Sequence, residues 1–302
     1  TGMTAINFAL GSRRLGAVPR NLVTVSVSLP ELVAGALPHF PPCPESVDGY
    51  RILSAPQSAL SVLCASRPAF VPGGVQHYAR HFIDMQDSFA DYMGRFSGKT
   101  RSTLRRKIRK FAAAGGGSLD VREYRNPEEI EAFLAHAWPL SRTTYQARLL
   151  DAGLPEGDNA RAEMIQRARN EQIRAYLLFL DGKAVAYLCL PIDDRVIRYA
   201  WLGYDDNYAH LSPGTVLQLE ALERLYSEER YLYFDFTEGE GAHKALFGTH
   251  NMPACSFFLL RRNLANRFLM SALDRFDGAV ASTRSLVNRS GALSGMRKML
   301  RT

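Results

Sequence analysis

Residues 173–204 constrain the fold more than any other stretch. Three apolar runs, IRAYLLFL, KAVAYLCLPI and VIRYAWLGY, are separated only by DG and DDR. Connections this short join neighbouring antiparallel strands, and Asp-Gly supplies the turn chemistry of a two-residue hairpin. A polar turn follows, and then LSPGTVLQLEALERL reads as a helix running to about Glu229. Ser212 reads as its N-cap, Pro213 as its first helical residue and Gly214 as a place where a ligand can approach the backbone. A helix N-terminus carries free N–H groups and a partial positive charge, which suits phosphate. The same four letters also describe an ordinary, well-capped helix start.

The flanking pattern extends this meander. ARAEMIQRARNEQ precedes it as a helix, YLYFDF follows as a strand, TEGEGAHKALFG reads as a Gly-rich loop with a short helix, and CSFFLLRR as a last strand. No G-x-G-x-x-G dinucleotide motif is present. Further upstream, residues 99–110 hold seven basic side chains and no acid. Leu104, Ile108 and Phe111 share one face, so this segment is an amphipathic helix with a basic outer side. Gly115 to Gly117 end it, LDVREY is a strand, and NPEEIEAFLAHAWPL opens a helix with an Asn cap, Pro and two Glu. The first ninety residues carry the short apolar runs NLVTVSVSL, ALSVLCAS and HYARHFIDM between Pro-rich turns. The expected class is α/β (α+β). Its expected domains are an N-terminal α+β subdomain over 1–95, an α/β domain over 96–260, and a basic helical tail over 261–302.

Composition excludes several classes. Among 302 residues, 46% hydrophobic and 22% charged fit a globular chain large enough for two subdomains. The four cysteines form no C-x-x-C pair, so no zinc site and no disulfide framework is expected. No apolar run reaches the length of a membrane span. Arg13, Arg14 and Arg20 precede an apolar stretch, but that stretch alternates like a strand and lacks an A-x-A site, so export is not expected. Localisation is expected to be cytoplasmic. The net charge is +7, and Arg261 onward holds nine Lys/Arg and two Asp, which accounts for all of it. The body is neutral and the basic segments lack aromatic interleaving, so nucleic acid is not an expected partner.

These pieces together carry a resemblance. The segment LFLDGKAVAYLCLPIDDRVIRYAWLGYDDNYAHLSPGTVLQLEALERL, then YFDFTEGEGAHKALFG, resembles the GNAT-like acyltransferase fold. More narrowly it is similar to the bacterial cellulose-biosynthesis-associated acetyltransferase group, related to the Fem-type transferases. FSGKTRSTLRRKIRKF resembles the basic helix that opens such domains. The resemblance implies a mixed sheet with two splayed central strands, here 196–204 and 231–236, whose gap takes the pantetheine arm of acyl-CoA. It places the phosphates at Ser212, Pro213, Gly214 and Thr215, with Leu202, Gly203 and Tyr204 beside the donor. The usual R/Q-x-x-G-x-G/A loop is replaced by HLSPGT. Pro213 has no N–H to offer, so acyl carrier protein and aminoacyl-tRNA stay open as donors.

Acyl transfer to an amine needs a base for the ammonium, donors that polarise the thioester carbonyl and an acid for the leaving thiolate. The candidate cluster is FDFTEGEGAHK: Asp235 at a strand end, Glu238 and Glu240 in the Gly-rich loop, and His243 with Lys244. An Asp at a strand end also caps turns, loop glutamates are commonly solvated, and a lone His commonly serves as a structural hydrogen-bonder. Tyr145 and Tyr208 are candidates for substrate binding. No resident cofactor or metal is expected; acyl-CoA is the co-substrate.

In the tail, Leu264, Phe268, Leu269, Leu273 and Phe276 repeat at helical spacing beside Arg267 and Arg275, the pattern of an interfacial helix. It equally describes a helix packed on the protein's own core. The expected function is acyl-CoA-dependent N-acyl transfer by direct attack, with a long-chain acyl group passing to a sphingoid-type or other lipid amine at an anionic membrane surface. Competing readings are acetylation of an exopolysaccharide sugar, a Fem-like tRNA-dependent aminoacyl transfer, and a non-enzymatic nucleic-acid binder.

Overall fold

The computed structural model describes residues 2–10, 13–144, 153–239 and 241–289. The chain forms two compact units, residues 1–79 with 252–302, and residues 80–251.

In the first unit, β1 (Gly2–Leu10) pairs antiparallel with β2 (Arg13–Ser26). Helix α1 (Leu29–Val33) is closed by a capping box between Ser28 and Glu31, and Pro30 sits in its first turn, where its missing N–H costs nothing. Strand β3 (Gly49–Pro56) runs parallel to β2, α2 (Leu60–Ala65) takes up the ALSVLCAS run, and β4 (Phe70–Asp84) carries the chain into the second unit.

The second unit continues with α3 (Phe89–Gly94), the basic helix α4 (Gly98–Ala114) and β5 (Asp120–Tyr124). Helix α5 (Pro127–Thr143) starts at Asn126, whose side chain accepts from Glu129 N–H in a capping box. Helix α6 (Asp158–Arg169) leads into β6 (Ile173–Leu180) and β7 (Lys183–Asp193). Strands β6 and β7 form the first hairpin of the expected antiparallel meander, and β5 pairs antiparallel with the other edge of β6. Every residue of β6 is buried, because one apolar cluster gathers α4 and the later helix 213–227 while another gathers α5 and α6. A strand covered on both faces has no reason to alternate, which is why IRAYLLFL is continuously apolar.

The run VIRYAWLGY divides into β8 (Val196–Arg198) and β9 (Trp201–Tyr204). After α7 (Pro213–Ser227), β10 (Tyr233–Asp235) pairs antiparallel with the end of β4 and parallel with β8. That parallel ladder ends at Asp235 opposite Arg198, and Tyr199 N–H donates to Asp235 O at 2.9 Å. Beyond it, among the described residues, β9 pairs with β7 alone. The central strands therefore part at Tyr199, leaving one edge of β9 without a strand partner among the described residues. Helix α8 (Ala242–Phe247) follows the parting.

Strand β11 (His250–Arg261) pairs antiparallel with β3 inside the first unit, and α9 (Leu264–Arg289) closes that unit. Here the tail stripe proves to be divided. Leu269 and Leu273 are buried with Met270 against Ile6, Leu22 and Leu260, and the Phe276 ring meets Phe8 edge-on at 5.5 Å. Asp274 accepts the Gly74 N–H at 2.7 Å. The hairpin β1–β2 needs an apolar cover, and α9 supplies it, so these residues are core rather than a free interfacial face. Leu264 and Phe268 remain 82% and 78% exposed. Among the described residues no helix is long and apolar enough to cross a membrane.

Candidate functional site

Three pieces of the second unit converge on the parting of β9 and β10. The first is the start of α7. Its first-turn N–H groups at Gly214 and Thr215 have no acceptor within the helix, and Pro213 has none to offer. Helix α4 packs against α7 and brings two lysines to this end. Lys107 Nζ lies 3.4 Å from Thr215 Oγ1, and Lys110 Nζ donates to His210 O at 2.9 Å. Neither lysine was among the candidates drawn from the sequence. The signal that exposed them was the seven-cation run with one apolar face, which shows a basic helix but not where the helix docks.

The second piece is an aromatic box around His243. Its imidazole lies 4.8 Å from the Phe247 ring, 5.7 Å from Tyr199 and 6.1 Å from Phe236, centroid to centroid. Its Nε2 stands 3.3 Å from the Tyr199 hydroxyl. The residue is exposed on one side, and these three rings line the other. Burial, then the positive charges of Lys107 and Lys244, hold its pKa below the ordinary value, so the imidazole is neutral at pH 7. Burial pushes the Tyr199 phenol well above its usual range, which keeps it a proton donor. Tyr199 is the third residue that the sequence reading missed. It sat inside an apolar run, and only the break between β8 and β9 gives it a functional place.

The third piece anchors the loop between β10 and α8. Asp235 is fully buried and takes both arms of Arg80, Nε to Oδ1 at 3.2 Å and Nη2 to Oδ2 at 2.6 Å. Oδ1 also accepts the Thr237 N–H at 2.8 Å, and Thr237 is held at φ 60°. A carboxylate so engaged organises the turn; it is badly placed to take a proton from substrate. Lys244 Nζ donates to Glu238 O at 2.5 Å and so ties α8 back to the loop. Burial lowers the Lys244 pKa, opposed by the carboxylates of Glu238 and Asp235.

Several sequence assignments shift. Ser212 does not cap α7 with its side chain; it sits in the left-handed region at φ 57° and only its carbonyl serves the helix, accepting from Val216 N–H. Gly214 is buried, and a Cβ there would stand 3.0 Å from Leu202 and 3.2 Å from Tyr204, so its small size serves helix–strand packing. Leu202 and Tyr204 are accordingly packing partners of α7. Gly203 is required by Tyr187, whose ring would lie 2.4 Å from an added Cβ. Tyr208 sits over Lys183, with the ammonium 5.3 Å from the ring centre, and Lys183 pairs with Asp205 at 2.7 Å. Tyr145 and Glu240 lie outside the described residues. Among the described residues no group of His, Cys, Asp and Glu could hold a metal ion. Gly203→Ala is expected to destabilise the protein by about 1–3 kcal/mol through overpacking, read as a lower midpoint in chemical denaturation. The Tyr187 hydroxyl, bonded to buried Ser141 Oγ at 3.1 Å, resists the displacement.

Comparison with known proteins agrees with this layout. Residues 98–245 match the family model described as an acetyltransferase (GNAT) domain. This segment is similar to the GNAT acetyltransferase-domain family. The GNAT-like mixed sheet with parted central strands is therefore the fold of the second unit. The chain is also similar to the crystal structure of FemX, at 12% identity over 90% of this chain and 91% of that one, with a TM-score of 0.54. It is similar to L-PGS from Bacillus licheniformis at 14% identity, covering 76% and 72%, with a TM-score of 0.47. A GCN5-related N-acetyltransferase from Kribbella flavida matches at 15% identity, covering 72% and 71%, with a TM-score of 0.37. No curated protein matches the chain.

Proposed function

We propose that the GNAT domain transfers an acyl group from a pantetheine thioester onto an amine by direct attack. One observation carries the reading: α7 starts packed on β9 at Leu202 and Tyr204, and His243 meets Tyr199 at the point where β9 parts from β10. The donor's phosphate sits at the first turn of α7 with Lys107, and acyl-CoA is the donor to test first. The pantetheine arm lies along the unpaired edge of β9, as an added strand would. Neutral His243 takes a proton from the acceptor ammonium. The amine nitrogen attacks the thioester carbonyl carbon, the C–N bond forms and the C–S bond breaks. The nitrogen gives up its second proton to solvent as the C–S bond breaks, and the leaving thiolate takes the Tyr199 phenol proton, which His243 then restores across the 3.3 Å contact.

The acceptor class in this reading is a lipid amine receiving a long-chain acyl group at an anionic membrane surface. Exposed Leu264 and Phe268, with Arg267 between them, support it as an apolar contact beside a cation. Leu264→Ser with Phe268→Ser is expected to reduce co-sedimentation with anionic vesicles by several-fold and leave folding intact, since neither residue is core. Equal partitioning of variant and parent would remove the membrane contact and favour a soluble acceptor such as a sugar amine.

The reaction itself is tested by incubating the full chain with acyl-CoA thioesters of different length and a panel of amines, following thiol release and product mass. Release that depends on an amine, with an N-acyl product, is expected. Absence of thiol release with every donor and acceptor overturns the reading.

A further inference from the structure

Helix α4 carries Lys99, Arg101, Arg105, Arg106, Lys107, Arg109 and Lys110 and no acidic residue. None of the seven forms an ion pair among the described residues. Arg101 donates to the carbonyls of Gly94 and Phe96, Lys107 approaches the Thr215 hydroxyl, and Lys110 reaches the His210 carbonyl. Lys99, Arg105, Arg106, Arg109 and Lys110 are exposed. Elsewhere in this unit the arginines are tied to carboxylates as a rule: Arg122 to Asp120, Arg125 to Glu123, Arg142 to Glu156, Arg161 to Glu131, Arg174 to Glu228. An unneutralised row of cations costs stability through self-repulsion and creates a local positive field. Its place gives it meaning, because it flanks the α7 start where the proposed donor phosphate sits.

We infer that the exposed face of α4 docks an acidic carrier protein, which delivers the acyl group on its phosphopantetheine arm. The inference rests on the thioester reading above and names the donor's partner. Two observations favour it over a free nucleotide donor. The α7 start offers N–H groups at Gly214 and Thr215 plus Lys107, and Pro213 offers nothing. That set matches the single phosphate of a protein-bound phosphopantetheine better than a pyrophosphate. The remaining cations lie outward along a helix about 25 Å long, the span of one acidic helix of a partner. An RNA partner would call for exposed aromatic rings on which bases stack, and the only ring on α4, Phe111, is 1% exposed. In the transfer, the acceptor nitrogen bonds the acyl carbon, the C–S bond to the arm breaks, and the carrier leaves with its free thiol.

The test uses the full chain with a bacterial acyl carrier protein in its holo form, charged with palmitate, beside palmitoyl-pantetheine as a donor lacking the protein. Arg105→Glu, Arg106→Glu and Arg109→Glu together are expected to raise KM for the carrier donor at least about tenfold and to change turnover of palmitoyl-pantetheine less than about twofold. Carrier binding by calorimetry should weaken with salt in the parent and vanish in the variant. Arg106→Ala with Arg109→Ala serves if the charge reversal unfolds the chain, with a smaller shift in the same direction. Equal use of the carrier by parent and variant overturns docking, as does tighter binding of transfer RNA than of the carrier. If no donor is turned over, the acyl-transfer reading fails, while the calorimetric comparison still decides the docking.

Discussion

His243→Ala is expected to lower kcat about 10²-fold or more, because it removes the proposed base and interrupts the proposed reprotonation of Tyr199. The parent's kcat/KM should rise through a pKa below the ordinary histidine value and then stay level, since burial, Lys107 and Lys244 all disfavour the imidazolium. The variant should lack that acidic limb. Lys107→Ala provides a cross-check: removing one of the cations that depress the pKa should move the limb to higher pH. A wild-type kcat for His243→Ala between about pH 5 and pH 9 would place the base elsewhere or in water. The same shift affects folding. The unfolded chain takes up the proton near pH 6.5 and the folded chain only at lower pH, so the unfolded state binds more protons in that window. Stability therefore rises with pH between the folded and unfolded pKa values, and this penalty is absent above the unfolded value.

Asp235→Ala is expected to cost about 3–5 kcal/mol of stability, because it leaves the Arg80 guanidinium buried without its carboxylate. Arg80 and Asp235 have side-chain exposures of 6% and 1%, so solvent cannot replace the lost partner. Asp235→Asn keeps an acceptor for Thr237 N–H but not the charge, and should fall between parent and alanine variant. Chemical denaturation reads both. A double replacement by apolar residues of similar volume should recover much of the loss, which a proton-transfer role for Asp235 would not allow for activity. Full activity in a folded Asp235→Asn protein would show that the pair only holds the loop. A kcat loss at unchanged stability would restore Asp235 to the chemistry.

Local pattern was enough to place most elements of the second unit, but not α3 or the break that divides VIRYAWLGY into β8 and β9. Hairpin turns at Asp181-Gly182 and around Asp194, the Asn126 cap and the proline at the head of α7 each act within a few residues, so their chemistry is legible in order along the chain. The cluster over 235–244 was legible for the same reason, since a strand end, a Gly-rich loop and a short helix are contiguous. What the residues do there depended on partners far away in sequence. Asp235 is claimed by Arg80, 155 positions earlier, and Lys107 meets Thr215 across 108 positions. Gly214 looked like an opening for a ligand and Gly203 was expected beside the donor, but each is small because a specific ring or side chain occupies the space where a Cβ would go. The stripe on α9 was correct as a pattern, yet helical spacing cannot say whether an apolar face meets lipid or Ile6 and Leu22. The sequence by itself determined periodicity, caps and turns, because these are local energies. Only the tertiary structure decided which charges pair, which rings line His243 and where the strands part, because those are contacts between segments that the chain order keeps apart.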